Sequence, residues 1–303
     1  MTNITGERNF TSKLNQVVSA PPAGTLEFFS ALNIFLSITA SLGNALILIA
    51  LNKVSSIYPP TKLFFRCLAV TDLYIGLVVQ PLFAINLTSR ITKMNVNVIY
   101  YVENIYRVSG WMLCAISGLT TIAISVDRLL ALLLGLRYRH VVTLRRVRVV
   151  IICLWVIGAS DGLIWMWRRD ITLLEVSFVI ILSLATSIFG YTRIHLKLRH
   201  HQAQLQTSVP QGQPKVGRIP LNIARYRKTV ASIMWVQLAL VACYVPFGIV
   251  AVLDVNGIEN GVTWITAETL VYVNSSLNPI LYCWKIREVR QAVKDKIRQL
   301  YNS

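Results

Sequence analysis

Residues 63–87 read LFFRCLAVTDLYIGLVVQPLFAINL, an apolar run broken by Arg66 near its start and by one carboxylate, Asp72, in its middle. A run of this kind exceeds the ~18 apolar residues that suggest a membrane-spanning helix. Six more lie at 27–52, 108–134, 149–167, 172–192, 230–253 and 262–284. A membrane β-barrel would show short alternating segments instead. The sequence therefore predicts an all-α membrane protein, a seven-transmembrane-helix bundle. Composition agrees: 54% of the 303 residues are hydrophobic and only 14% are charged, against ~25% charged in a soluble domain. A water-soluble fold of this mean hydropathy, +0.56, would expose too much apolar surface. The net charge of +17 does not mark a nucleic-acid binder, because the basic residues fall between the apolar runs rather than on one face.

Lysine and arginine bookkeeping sets the orientation. With the amino terminus outside, 23 of the 30 Lys and Arg residues fall on inner segments. Sequons at Asn3, Asn9 and Asn86 all lie on the side this orientation puts outside, as candidate glycan acceptors. A further sequon at Asn274 lies inside the last span and is expected to stay unglycosylated. Residues 1–26 lack the apolar core of a signal peptide, so the first span is expected to serve as the insertion signal. The positive charge then meets the anionic lipids of the inner leaflet and acidic cytosolic partners.

Three regions follow. Residues 1–26 form an extracellular, glycosylated amino terminus, and 27–285 the seven-transmembrane domain. Within it, 200–222 is an inner linker rich in Gln, Pro and Gly. Residues 286–303 form a short cytoplasmic tail, in which Ile286, Val289, Val293 and Ile297 recur at helical spacing among basic residues. That pattern describes an amphipathic helix on the inner membrane surface.

Polar residues inside spans are costly and mark function. Here they occur in a particular order: Gly43-Asn44 in helix one, Leu68-Ala69-Val70-Thr71-Asp72 in helix two and Ser125-Val126-Asp127-Arg128-Leu129 at the end of helix three. Trp155 lies in helix four and Tyr191 ends helix five. Cys243-Tyr244-Val245-Pro246-Phe247 falls in helix six and Asn278-Pro279-Ile280-Leu281-Tyr282 in helix seven. Together these resemble the rhodopsin-like class of G-protein-coupled receptors, over about residues 27–300. The stretch Leu136-Arg137-Tyr138-Arg139-His140 is similar to the second inner loop of melanocortin receptors. Trp284-Lys285-Ile286-Arg287-Glu288-Val289-Arg290 is similar to the last helix of adenosine and melanocortin receptors. The departures point the same way, to the melanocortin, lysophospholipid and cannabinoid neighbourhood. Glu103 stands where most of the class has a disulfide-forming cysteine, Ser183 replaces the helix-five proline, and the second outer loop is short. All five cysteines (Cys67, Cys114, Cys153, Cys243, Cys283) fall within spans, which leaves no outer disulfide.

The resemblance implies roles residue by residue. Asp72 with Ser117, Asn274, Ser275 and Asn278 would form an oxygen-rich cage suited to a sodium ion, the one cofactor the sequence suggests. The alternative is a protonated Asp72 hydrogen-bonded to Asn44 and Asn278. Asp127 and Arg128 would form the activation switch, with Arg128 freed to meet Tyr191 and Tyr282 when helix six, kinked at Pro246, swings out. Tyr244, Asn278 and Pro279 belong to the same switch. Tyr226 stands where many relatives carry a helix-six acid that pairs with the arginine. Gly118, Ser183 and Leu240 replace the packed trio that links helices three, five and six. Basal activity is therefore expected to be high and ligand gain modest.

Candidate ligand residues sit near the outer ends: Glu103, Arg107, Gly110, Asp161, Trp264, Glu268 and Tyr272. Gly110 occupies the position of the monoamine-binding aspartate, which argues against an aminergic ligand. Tyr272 replaces the retinal-binding lysine of opsins, and Ala251 an asparagine of adenosine receptors. Of three melanocortin-binding acids only Glu103 survives, with Leu82 and Arg107 at the other places. Glu103 and Arg107 also suit an ordinary i, i+4 surface pair, whereas Asp161 is buried deeper and needs a specific partner. The sequence thus reads as a non-enzymatic receptor of the plasma membrane that binds an extracellular small molecule, lipid or peptide and activates a heterotrimeric G protein. A seven-helix transporter or channel would show repeats or interrupted helices, which are absent here. A receptor-like protein that no longer signals remains the other alternative, because the activation motifs are altered.

Overall fold

The helices are inside out relative to a water-soluble bundle. Asn33 and Asn44 of the first helix are fully buried, while Phe28, Phe35 and Leu42 on its other face are 61–62% exposed. Thr71, Asp72, Gln80 and Asn86 of the second are likewise at zero exposure. Such a pattern is stable only where the surroundings are hydrocarbon. The computed structural model describes residues 21–92, 94–166, 177–186, 188–190, 192, 196, 221–255, 261–285 and 287–301. Among the described residues four helices are each long and apolar enough to cross a membrane, and none of the secondary structure is strand.

Helix α1 spans Ala23–Lys53 and α2 spans Pro59–Ile91. The middle of α2 widens into a π-turn over Ile75–Val79, where the Gln80 N–H reaches back to the Ile75 carbonyl. Pro81 is the cause: it has no N–H and its ring crowds the turn before it, and the wider turn absorbs both defects. Helix α3 runs Val96–Leu134, starting twelve residues before the apolar run predicts. Its first three turns are helical although Glu103, Asn104 and Arg107 interrupt their apolar residues, and they are started by Asn95, whose side chain accepts from the Asn97 N–H at 2.9 Å. Gly135, at φ 53°, ends α3 in a conformation that only glycine adopts without strain. A short turn, Tyr138–Val141, leads to α4, Leu144–Trp165, whose amino end is capped by the Thr143 hydroxyl. α5 is helical over 177–186 and 188–190. α6 runs Leu221–Val255 with Pro246 inside it, and α7 runs Gly261–Lys285 with Pro279 inside it. α8 spans Arg287–Tyr301. The predicted linker over 200–222 is corrected at its end, since residues 221 and 222 already belong to α6; its remainder lies outside the described residues.

α3 lies centrally, packed on α2, α4 and α6, while α1 packs on α2, α7 and α8. The α3–α4 contact is close because residue 158 is glycine. A Cβ there would stand 2.3 Å from Ile116 Cγ1 and 2.9 Å from the Met112 carbonyl oxygen. α8 is helical as the spacing predicts, and of its expected apolar stripe Val289 is buried against the bundle whereas Ile297 is half exposed. Two apolar clusters form the core. One gathers Phe83, Tyr106, Tyr244, Phe247 and Tyr272, and the other gathers Phe64, Phe65, Leu68, Tyr138 and Tyr282. Asp72 and its polar partners fall at their junction. All five cysteines are free.

Candidate functional site: a cavity, a buried carboxylate and an arginine clasp

Three polar constructions lie along the bundle. The first surrounds Asp72. Its Oδ1 accepts from the hydroxyls of Ser117 on α3 and Ser275 on α7, both at 2.9 Å, and its Oδ2 accepts from Asn278 Nδ2 at 2.7 Å. Three donors on one carboxylate compensate its burial by charge-assisted hydrogen bonds. Asn44 does not join them, so of the two partners named in the protonated alternative only Asn278 is hydrogen-bonded to Asp72. Asn44 donates to the carbonyl oxygens of Ala40 and Ser275 instead, and its Oδ1 is unpaired. Asn274 is buried nearby but, among the described residues, gives the carboxylate no hydrogen bond. The donor set suits a hard cation in part: the carboxylate and two hydroxyl oxygens of Ser117 and Ser275 converge, while Asn278 presents its amide N–H.

The second construction, at one end of the bundle, clasps Arg128. Its Nη2 and Nε donate to Asp127 Oδ2 at 2.8 and 3.1 Å, and Nη2 also meets the Thr61 hydroxyl. Asp127, only 2% exposed, accepts further from Thr61 Oγ1 at 2.8 Å and from the Tyr138 hydroxyl at 2.6 Å. Burial, reinforced by the Asp127 carboxylate, pushes the Tyr138 phenol up, so it remains a donor at neutral pH. Arg128 is therefore folded back on its own helix. Thr61 and Tyr138 were not singled out by the sequence, although Tyr138 lies in the quoted 136–140 stretch. Tyr282 is buried, its ring edge-on to Phe65 at 5.0 Å, and its hydroxyl is unpaired. Tyr191 lies outside the described residues, and the backbone places Tyr226 in α6.

The third is a cavity of about 610 Å³, counting its open mouth, at the other end of the bundle. Of the candidate ligand residues, Arg107, Gly110, Asp161, Glu268 and Tyr272 line it, and Tyr244 lines it from α6. Tyr106, Trp111 and Phe247 also line it and were missed, because aromatic residues on spans read as ordinary core. Glu103 and Trp264 stand behind the wall. Trp264 packs edge-on against Phe247 at 5.2 Å. Glu103 pairs with Arg107 at 2.9 Å and with Arg90 at 3.5 Å, and Arg107 also reaches Glu268 at 3.3 Å. The pair is thus no isolated helix-surface contact but a network tying α2, α3 and α7 together. The Tyr244 hydroxyl donates to the Cys114 carbonyl oxygen on α3 at 3.0 Å.

One expectation is overturned. Asn86 is fully buried within α2, so a glycan on it is incompatible with this packing. Asn3 and Asn9 lie outside the described residues, as do Arg168, Arg169, Asp170 and Glu175.

The family model described as "7 transmembrane receptor (rhodopsin family)" matches residues 43–170 and 161–282. Among curated proteins, the chain is 24% identical to melanocortin receptor 4 of Danio rerio, across 86% of this chain and 81% of that one. It is 29% identical to the histamine H2 receptor of Cavia porcellus, across 87% and 77% respectively. With melanocortin receptor 5 of Rattus norvegicus it shares 24% identity across 94% and 89%. A multi-pass helical bundle with this order of buried polar motifs, matched over most of its length, places the chain in the rhodopsin family of seven-transmembrane receptors.

Proposed function

We propose that this protein sits in the plasma membrane with its amino terminus and cavity outside and its Arg128 end in the cytosol. There it binds an extracellular ligand in the cavity and activates a heterotrimeric G protein as α6 moves outward. The excess of Lys and Arg on the Arg128 side supports the orientation, with Asn3 and Asn9 as glycan acceptors outside. The observation that carries the mechanism is the double duty of Tyr244. It is part of the cavity wall, and its hydroxyl ties α6 to α3 at the Cys114 carbonyl oxygen. A ligand that pushes on this ring bears directly on the contact holding α6 closed. Release of α6 lets Arg128 leave Asp127 and Thr61 and turn toward the unpaired Tyr282 hydroxyl, opening a groove for the G protein. The ligand shifts the balance only by its differential affinity for the two states.

Asp72, Ser117 and Ser275, with Asn278 and Asn274 beside them, hold a sodium ion that favours the closed state. The relatives are named for two different ligands, a melanocortin and histamine, so the ligand's class is read from the cavity itself. The test is a ligand-independent reporter in cells expressing a promiscuous G protein. Wild type should signal above vector, and Arg128→Ala should remove that signal at equal surface expression. Equal signals from the two chains would refute the mechanism.

A further inference from the structure

Asp161 has no part in the mechanism above. It is 2% exposed, it lines the cavity from α4, and its Oδ1 has no hydrogen-bond partner. The close approach of α4 to α3 at Gly158 and Gly162 brings it there: a Cβ on Gly162 would lie 2.9 Å from the Val108 carbonyl oxygen. A buried carboxylate left unpaired is costly, and in a membrane helix it marks a functional site. The other described charges near this cavity balance. Arg107 meets Glu103 and Glu268, and Arg90 meets Glu103, which makes two cations and two carboxylates. Among the described residues, Asp161 is the carboxylate left over.

The walls around it are aromatic. Trp111 and Phe247 meet edge-on at 5.4 Å, and Tyr106, Tyr244 and Tyr272 complete the ring. Aromatic faces attract cations and give apolar area to the body of a ligand. We propose that the cavity takes a small ligand with a protonated nitrogen, seated on Asp161, and an aryl or alkyl body held by Trp111, Phe247 and Tyr244. This rests on the reading of the cavity as the ligand site. It also revises the inference drawn from Gly110. A Cβ at Gly110 would stand 3.2 Å from both the Tyr272 hydroxyl and Val79 Cγ1, so an acidic side chain on α3 there would need both neighbours to give way. The carboxylate comes from α4 instead.

The test uses the full chain in lipid nanodiscs and four amines: benzylamine, phenethylamine, tryptamine and cyclohexylamine. Each is compared with its neutral alcohol, and phenylacetate and indole-3-acetate serve as anionic controls. Affinity is read from ligand-dependent melting by tryptophan fluorescence. At least one amine should bind ~10-fold or more tightly than its alcohol, the margin of a charge-assisted hydrogen bond. Asp161→Asn should bring that pair to equal affinity. The ligand-free variant should melt no lower than wild type, because an unpaired carboxylate has been removed. The proposal is overturned if every amine equals its alcohol, if the acids bind best, or if the preference survives in Asp161→Asn. It is equally overturned if that variant melts lower or does not fold, which would give Asp161 a partner within the protein. Amine preference without nucleotide exchange on a G protein would keep this site and remove the receptor mechanism. Exchange without amine preference would do the reverse.

Discussion

Tyr244→Phe removes one oxygen and nothing else from the tie between α6 and α3. The ring is 5% exposed, and its hydroxyl donates to the Cys114 carbonyl oxygen at 3.0 Å. That carbonyl lies inside α3, where helix geometry supplies its own N–H partner four residues on, so the substitution leaves no orphaned acceptor. The loss is then the net worth of a neutral hydrogen bond, ~0.5–1.5 kcal/mol. If it is made only in the closed state, the open fraction rises ~2- to 13-fold while that state remains the minority. The assay is nucleotide exchange on membranes of matched receptor density, without ligand, beside the melting temperature of the purified chain. Basal exchange should rise within that range while the melting temperature falls slightly. A fall in melting temperature with basal exchange unchanged or lowered would show that the bond does not distinguish the two states, and Tyr244 would lose its role.

Other outcomes follow from the same geometry. Sodium should lower basal exchange in wild type, and Asp72→Asn should abolish the response by turning a three-fold acceptor into a group with its own N–H; an identical sodium response in both chains contradicts the cage. Arg107→Met strands Glu268, whose side chain is 12% exposed, and should cost ~1–2 kcal/mol after allowance for partial exposure. Adding Glu268→Gln should recover most of the lost melting temperature, and no recovery would mean that the pair is not what holds α3 to α7. Gly158→Ala should cost ~1–3 kcal/mol through overpacking. Ile116→Ala should restore only part of it, because the Met112 carbonyl oxygen also stands 2.9 Å from the new Cβ. With all five cysteines free, dithiothreitol should leave basal exchange and melting unchanged; loss on reduction and recovery on reoxidation would reveal a disulfide.

The bundle was legible because hydrocarbon reads side chains in bulk, and the ends of 27–52 and 262–284 fall within one to four residues of those of α1 and α7. Hydropathy fails where a helix leaves the apolar layer. The amino-terminal turns of α3 carry Glu103 and Arg107, which interrupt the apolar run there, while the Asn95 cap starts the helix well before them. The π-turn in α2 was missed for a related reason: Pro81 announces a defect, but only packing decides how the turn absorbs it. Asp72, Asp127 and Arg128 stood out as charges in apolar surroundings. Thr61 and Tyr138 did not, since a hydroxyl gains its role from the partner opposite, which no local pattern displays. Asn86 misled in the opposite sense. A sequon is three letters long, and burial is a property of the neighbouring helices.

The reading that signal passes from the cavity to Arg128 is tested most directly by GDP release. The purified chain in nanodiscs is mixed with heterotrimers of each Gα class, and the release rate is measured for wild type and for Arg128→Ala of matched melting temperature. Wild type should accelerate release from at least one heterotrimer, and Arg128→Ala should return it to the uncatalysed rate. No acceleration by folded wild type, or equal acceleration by both chains, would contradict the mechanism; ligand-driven cation flux across liposomes in its place would identify a transporter or channel built on the same seven helices.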